Sequence, residues 1–277
     1  MSTEAALVVL LAAFMHAGWN AWLRGSTDRL RVRTMMVLSS SVLCAAALPF
    51  LPPPHPAAWP FIWLSVLVHL GYNGVLVLMY RQGDLGQTYV ISRGAQPLLV
   101  SLGAFLFAGE APSMESLTGI CFVSAGIFIL AGAGRLPLHS VGFAILTGLA
   151  STSTALLDGM GGRVAGNTLS FTAWVVVLNG LPMTALFVAV RRDFQFWRMS
   201  RSDMTAAIGG GTIATIAFAM IIWAMSHTPL GAVAALRETS ILFALLFGSV
   251  FIGERFTTRK LVGAAIILAG AVIIRLA

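Results

Sequence analysis

Charge is what this sequence has least of. Only 10% of its 277 residues are charged, where a soluble domain carries roughly 25%. So few charges cannot coat a water-facing surface, which excludes a soluble globular fold. Acidic residues number 10, and lysine occurs once, as Lys260. Cysteine occurs twice, at Cys44 and Cys121, each within an apolar run, and argues for neither a disulfide nor a metal site. The five histidines are scattered, and the chain carries no P-loop and no nucleophile elbow. An enzyme, a cofactor-dependent protein and an ATP-driven pump are set aside on that basis; no cofactor and no metal are expected.

What fills the space is apolar. Hydrophobic residues make up 58% of the chain, and mean hydropathy is +0.89. About twenty apolar residues cross a bilayer as a helix. Runs between charges, proline clusters and glycine breaks predict ten spans, at 4–23, 34–51, 60–80, 86–108, 115–133, 139–158, 168–190, 204–226, 230–252 and 258–275. Residues 5–15 lack a basic leader and a small-residue cleavage site, so the first run is expected to be a retained span and not a signal peptide. Connectors are short, and only 24–33 and 191–203 have real polar content. The expected fold is an all-α polytopic membrane protein, multi-pass in a bacterial-type inner (plasma) membrane.

The net charge of +7 does not point to nucleic acid, because the basic residues sit in gaps between spans. Taking connectors alternately, one side carries Arg24, Arg29, Arg31, Arg33, Arg81, Arg135, Arg191, Arg192, Arg198, Arg201, Arg255, Arg259 and Lys260. The other side carries Arg163 and Arg275. Basic residues concentrate on cytoplasmic connectors, so thirteen against two places the first set in the cytoplasm and both termini outside.

A repeat runs through the chain at an offset of 144 residues. It pairs Arg93 with Arg237, Leu98 with Leu242, Leu102 with Leu246 and Phe107 with Phe251. It continues through Gly109-Glu110 with Gly253-Glu254, Leu117 with Leu261, Gly119 with Gly263 and Ala125-Gly126 with Ala269-Gly270. Upstream the offset is 145, aligning Leu85-Gly86 with Leu230-Gly231. Chance apolar matching would not supply an intramembrane arginine, a Gly-Glu pair and two glycines in one register. Spans 4–5 therefore correspond to spans 9–10, giving two five-helix units, residues 1–134 and 135–277. An odd number of spans per unit inverts the second copy, an architecture of transporters with a midplane site.

With Leu-Gly opening the fourth helix of each half and Gly-Glu closing it, the chain resembles the EamA type of the drug/metabolite transporter superfamily. The resemblance covers essentially the whole chain. It implies that the first four helices of each half line a central cavity, with helices 5 and 10 outside. It also implies cytoplasmic termini, the reverse of the charge count.

Ionisable groups within a span usually face a cavity or a partner. Arg93 and Arg237 are the sharpest cases, suited to a carboxylate or phosphate; the alternative is that each snorkels or pairs with an acid such as Glu238. Pro97 cannot donate to the Arg93 carbonyl, so a kink is expected there, with Gln96 and Ser92 adding polarity. On the first helix His16 and Asn20 share a face with Trp19 beside them, which suits an amino-acid-sized ligand or an interhelical hydrogen bond. Helix 3 offers His69, Tyr72, Asn73 and Tyr80, helix 7 Trp174 and Asn179, and helix 8 Trp223. Aromatic walls with a few placed polar groups describe a small-ligand pocket; Trp59 and Trp197 read as interfacial anchors. Glu110 and Glu254 read as structural, each at the positive end of the following helix. Gly119, Gly126, Gly263 and Gly270 put small residues on one face for close helix contact. Those faces leave monomer and homodimer both open.

The functional expectation is secondary transport: export of small metabolites, amino acids or other zwitterionic or anionic compounds, by alternating access. Its partners would be a small-molecule substrate and the lipid bilayer, with Glu238, Asp158 and His16 as candidate proton carriers. Efflux of hydrophobic cations is the alternative, although two arginines argue against it; a structural or sensory membrane protein is a third class.

Overall fold

The computed structural model describes the backbone of residues 1–82, 85–132, 138–253 and 256–277, with side chains except at 76–82, 85–89, 138, 139, 251 and 252. The expectations for Tyr80, Arg81, Arg135, Glu254 and Arg255 therefore lie outside the described residues. Among those described, the chain is helical, with no strand. The elements are α1 (Thr3–Arg24), α2 (Arg29–Ala47), α3 (Trp59–Gln82), α4 (Leu85–Ala108), α5 (Met114–Ala131), α6 (Leu138–Val164), α7 (Thr168–Arg191), α8 (Arg201–His227), α9 (Leu230–Arg237), α10 (Ser240–Ile252) and α11 (Thr258–Leu276). Eight stretches among the described residues are long and apolar enough to cross a membrane.

Local chemistry sets the boundaries. Ser2, Asp28, Ser113, Asn167, Ser200 and Thr257 each accept a backbone N–H from the first turn of the helix they precede, satisfying donors that the helix cannot. Gly109 and Gly253, the glycines of the repeated Gly-Glu pair, both have positive φ, at 68° and 73°. That left-handed conformation ends a helix and strongly favours glycine. The same stop signal thus stands at both Gly-Glu pairs.

The helices follow the expected apolar runs, with differences at α2, α6 and the ninth run. The expected α2 start at 34 moves to Arg29, because Asp28 caps the helix there. Helix α6 runs on to Val164 instead of ending at 158, so Arg163 lies in its last turn and not in a connector. The ninth expected span, 230–252, is two helices. At the break, Glu238 N–H donates to Ala235 O and Thr239 N–H to Leu236 O, both at 3.1 Å. These are i to i−3 bonds, and the Thr239 hydroxyl takes the same Leu236 carbonyl at 2.7 Å. A threonine hydroxyl competing for a helix carbonyl disturbs the regular ladder.

Polarity is inverted relative to a soluble protein. Leu7, Leu11, Phe14, Leu102, Phe105, Leu106 and Leu181 are exposed, while Ser92, Arg93, Gln96, Thr152, Asp158 and Glu238 are buried. Helices meet through small residues. Ser41 donates to Val176 O across the α2–α7 contact at 2.8 Å, and Ser40 donates to Gly211 O across α2–α8 at 2.9 Å. The pairings are reciprocal: α1 packs on α8 as α6 packs on α3, α1 on α9 and α10 as α6 on α4, and α2 on α7. Helices α5 and α11 form the most extensive contact. There a Cβ on Gly119 would meet Gly270 O at 2.9 Å, and one on Gly126 would meet Gly263 O at 2.8 Å. The four glycines thus serve a contact within the chain.

Candidate functional site

Helix α4 and the break between α9 and α10 bring their polar residues together. Gly231, the second residue of a Leu-Gly pair, lets α9 approach α4: a Cβ there would lie 2.8 Å from Ser101 Cβ. At this closeness Arg93 reaches across to the helix break. Its Nε lies 3.0 Å from Glu238 Oε2, and its Nη2 donates to Ser240 Oγ at 3.5 Å. Arg237 Nη2 lies 3.8 Å from the other carboxylate oxygen. Glu238 is fully buried, and the Arg93 side chain is 10% exposed. Of the two readings of these arginines, pairing with Glu238 is the one seen, and the pair forms a single cluster of two guanidinium groups around one carboxylate.

Gln96 and His16 extend the cluster. Gln96, one turn beyond Arg93 on α4, donates Nε2 to Ser151 O of α6 at 3.3 Å. Its buried Oε1 has no hydrogen-bond partner among the described residues. His16 on α1 lies within electrostatic reach of Arg93, Arg237 and Arg33. Its ring meets Trp19 edge-on at 5.0 Å, and its carbonyl accepts from Asn20 Nδ2 at 2.8 Å. Trp19 itself packs with Leu23, Val32, Met36, Ala206 and Ala207, under the Arg33 guanidinium at 5.1 Å.

The other aromatic candidates have contacts of their own. Trp174 packs edge-on against Trp59 at 5.0 Å, in a cluster with Ile62, Phe171 and Ile222. Trp223 tilts over His227 at 4.7 Å, at the end of α8. Tyr72 is half-buried on α3, and Asn73 donates to His69 O at 2.9 Å. Asn179 likewise donates within its own helix, to Val175 O.

Two pairings go beyond what the sequence predicts. The first is a second polar cluster, in which Ser65 of α3 donates to buried Asp158 of α6 and His69 Nε2 lies 3.9 Å from the same carboxylate. The second is a clamp at one face. Glu110 pairs with Arg163 and accepts from Leu230 N–H at 2.8 Å. It therefore caps α9, not the following helix α5, whose cap is Ser113. Arg163 donates to Met225 O and Thr228 O, both at 2.9 Å. A small cleft beside this clamp is lined by Ser101, Glu110, Pro112, Ser116, Pro229 and Gly231; none of the expected ligand residues lines it. At the opposite face the two polar connectors join each other, through Arg31 with Asp193 at 2.7 Å, Arg191 with Asp28 at 3.4 Å and Thr27 Oγ1 with Asp203 at 2.6 Å.

Comparison with known proteins places these features in context. The profile of the EamA-like transporter family matches residues 139–276. A protein of Streptantibioticus cattleyicolor described as a probable terminal-alkyne amino-acid exporter is 31% identical over 121 residues, 44% of this chain and 38% of its own length. The match thus spans under two fifths of that relative. A solved crystal structure covers 100% of this chain and 99% of its own, with a TM-score of 0.81 at 16% identity. At that identity the likeness concerns the fold alone.

Proposed function

Because the chain belongs to the EamA-like transporter family and is a multi-pass membrane protein, we propose that it is a secondary transporter exporting small zwitterionic or anionic metabolites, amino acids foremost. The observation that carries this reading is the convergence of Arg93 and Arg237 on the single buried carboxylate of Glu238. Two guanidinium groups side by side suit a substrate that carries a carboxylate, because arginine's planar fork recognises that group. The amino-acid exporter that matches part of the chain supports the same class of substrate.

The working motion would be alternating access between two inverted five-helix repeats, in the plasma membrane with the basic connectors cytoplasmic. The 144-residue register and the reciprocal helix pairings support the duplication. The glycine contact does too: Gly119 meets Gly270, while their register partners Gly263 and Gly126 meet each other. A two-fold relation between antiparallel copies produces that crossed pattern. Transport would be driven by exchange, by a gradient or by protons.

Proteoliposomes test the reading with four probes: L-methionine, a terminal-alkyne amino acid, an organic acid and tetraphenylphosphonium. Movement of the amino acids, reduced at least about tenfold in Arg93→Lys and Arg237→Lys with the fold retained, is expected, since lysine keeps the charge but loses the fork. Movement of the organic cation alone, or full activity in both variants, would overturn it.

A further inference from the structure

We infer that Asp158 and His69 form a proton-binding site between α6 and α3, distinct from the arginine cluster. The inference deepens the proposed transport function by naming where a driving proton would bind. It follows from hydrogen-bond bookkeeping. Ser65 has one hydroxyl proton, and it goes to Asp158 Oδ1. His69 Nδ1 lies 3.1 Å from Ser65 Oγ and 3.0 Å from Ser65 O. Both oxygens can only accept at that point, so Nδ1 carries the ring hydrogen. Nε2 therefore lacks the ring hydrogen and lies 3.9 Å from Asp158 Oδ2, as one acceptor near another.

Two confronting acceptors inside a helix bundle repel, and one proton on either of them turns repulsion into attraction. With the proton on Nε2 the pair is imidazolium beside carboxylate; with it on Oδ2 the pair is carboxylic acid beside neutral ring. Either way the two groups bind one proton as a unit. Its release to water restores the confronting acceptors. Asp158 is 3% exposed, whereas the His69 side chain is 24% exposed.

The surroundings leave the pair to respond to one another. On α3 the other titratable group among the described side chains is Tyr72, and on α4 it is Arg93, engaged with Glu238. Helix α9 presents Arg237, within electrostatic reach of Asp158, and Glu238. Helix α8 places Phe218 edge-on against the His69 ring at 6.1 Å and has no titratable side chain between Asp203 and His227. Helix α7 has none from Thr168 to Val190. The turn at Pro56–Ala58 is preceded by His55, and α6 itself carries Arg163, held by Glu110.

Infrared pH-difference spectra of the detergent-solubilised full chain test the site without any substrate. Across a pH series, a carboxyl band and an imidazole band should change together. Asp158→Asn should remove the carboxyl band and displace the imidazole transition. His69→Gln, at a partly exposed position that tolerates exchange, should move the carboxyl midpoint by about one pH unit or more. A carboxyl band that persists in Asp158→Asn, or a midpoint unmoved in His69→Gln, would overturn the assignment. In proteoliposomes, Asp158→Asn should keep L-methionine exchange and lose accumulation driven by a pH gradient; gradient-driven accumulation equal to wild type would also overturn it. Wild-type protein that moves no L-methionine, with the infrared coupling intact, would defeat the transport reading and leave the proton site standing.

Discussion

Arg93 Nε on α4 lies 3.0 Å from Oε2 of Glu238, a residue that sits at the break between α9 and α10. The pair ties α4 to the break between α9 and α10 by a buried contact. Removing a single partner of a buried pair leaves an uncompensated charge and costs roughly 3–5 kcal/mol. Arg93→Met and Glu238→Gln should each lower the thermal midpoint in detergent. Their double variant should lose less than the sum, with a coupling of about 0.5–3 kcal/mol. Additive losses would show that the contact is not energetically shared.

The α5–α11 crossing makes a steric prediction. A Cβ on Gly270 would lie 2.7 Å from Gly119 O and 2.8 Å from Val123 N, both backbone atoms that cannot swing aside. Gly270→Ala and Gly119→Ala should each destabilise by about 1–3 kcal/mol, the usual cost of overpacking. Gly142→Ala is the contrasting change, because nothing lies within 4 Å of its added methyl; helix propensity predicts a small gain there. Thermal unfolding of the three variants side by side reads the difference.

Much of this architecture was legible before any coordinates. Apolar length gave the helices, and the 144-residue register identified Arg93, Arg237 and the four glycines as partners in a pattern. The register could not show which atoms would meet. Two arginines at equivalent positions can snorkel apart or converge, and only the close approach of α9 to α4 at Gly231 decides for convergence. Asp158 and His69 were each visible as unusual residues for a span. Their pairing depends on α3 lying against α6, a non-local fact that no periodicity carries. A buried aspartate must find a partner within the membrane, so the few polar residues of the other helices were a short list from which His69 could have been drawn. Arg163 was assigned to a connector because the apolar run ends near 158, whereas its side chain finds the carbonyls of Met225 and Thr228 and lets the helix continue.

The clamp at Glu110 separates hydrogen bonding from charge. Glu110 both pairs with Arg163 and accepts the Leu230 amide at the start of α9. Glu110→Gln keeps an acceptor oxygen for that amide and loses the ion pair, whereas Glu110→Ala loses both. Hydrogen exchange at the Leu230 amide should therefore quicken markedly in Glu110→Ala and modestly in Glu110→Gln, since an unsatisfied helix-terminal N–H costs about 1–2 kcal/mol. Equal protection in both variants would show that another group holds the turn.

The exceptions to the charge asymmetry bear on the expected orientation. The side with few basic residues has Arg163 and Arg275. Arg163 is taken up by Glu110 and two carbonyls, and Arg275 donates to Met1 O and the Thr3 hydroxyl. Both are structural cross-links, so they do not dilute the topological signal of the thirteen on the other side. Exposed positions on each face make the test direct. In a background with Cys44 and Cys121 replaced by alanine, Ala57→Cys lies before α3 and Gln195→Cys lies between α7 and α8, both exposed. A membrane-impermeant maleimide should label Ala57→Cys in intact cells and reach Gln195→Cys only after permeabilisation. The opposite pattern would place the basic connectors outside and make the charge count, not the family resemblance, the misleading guide.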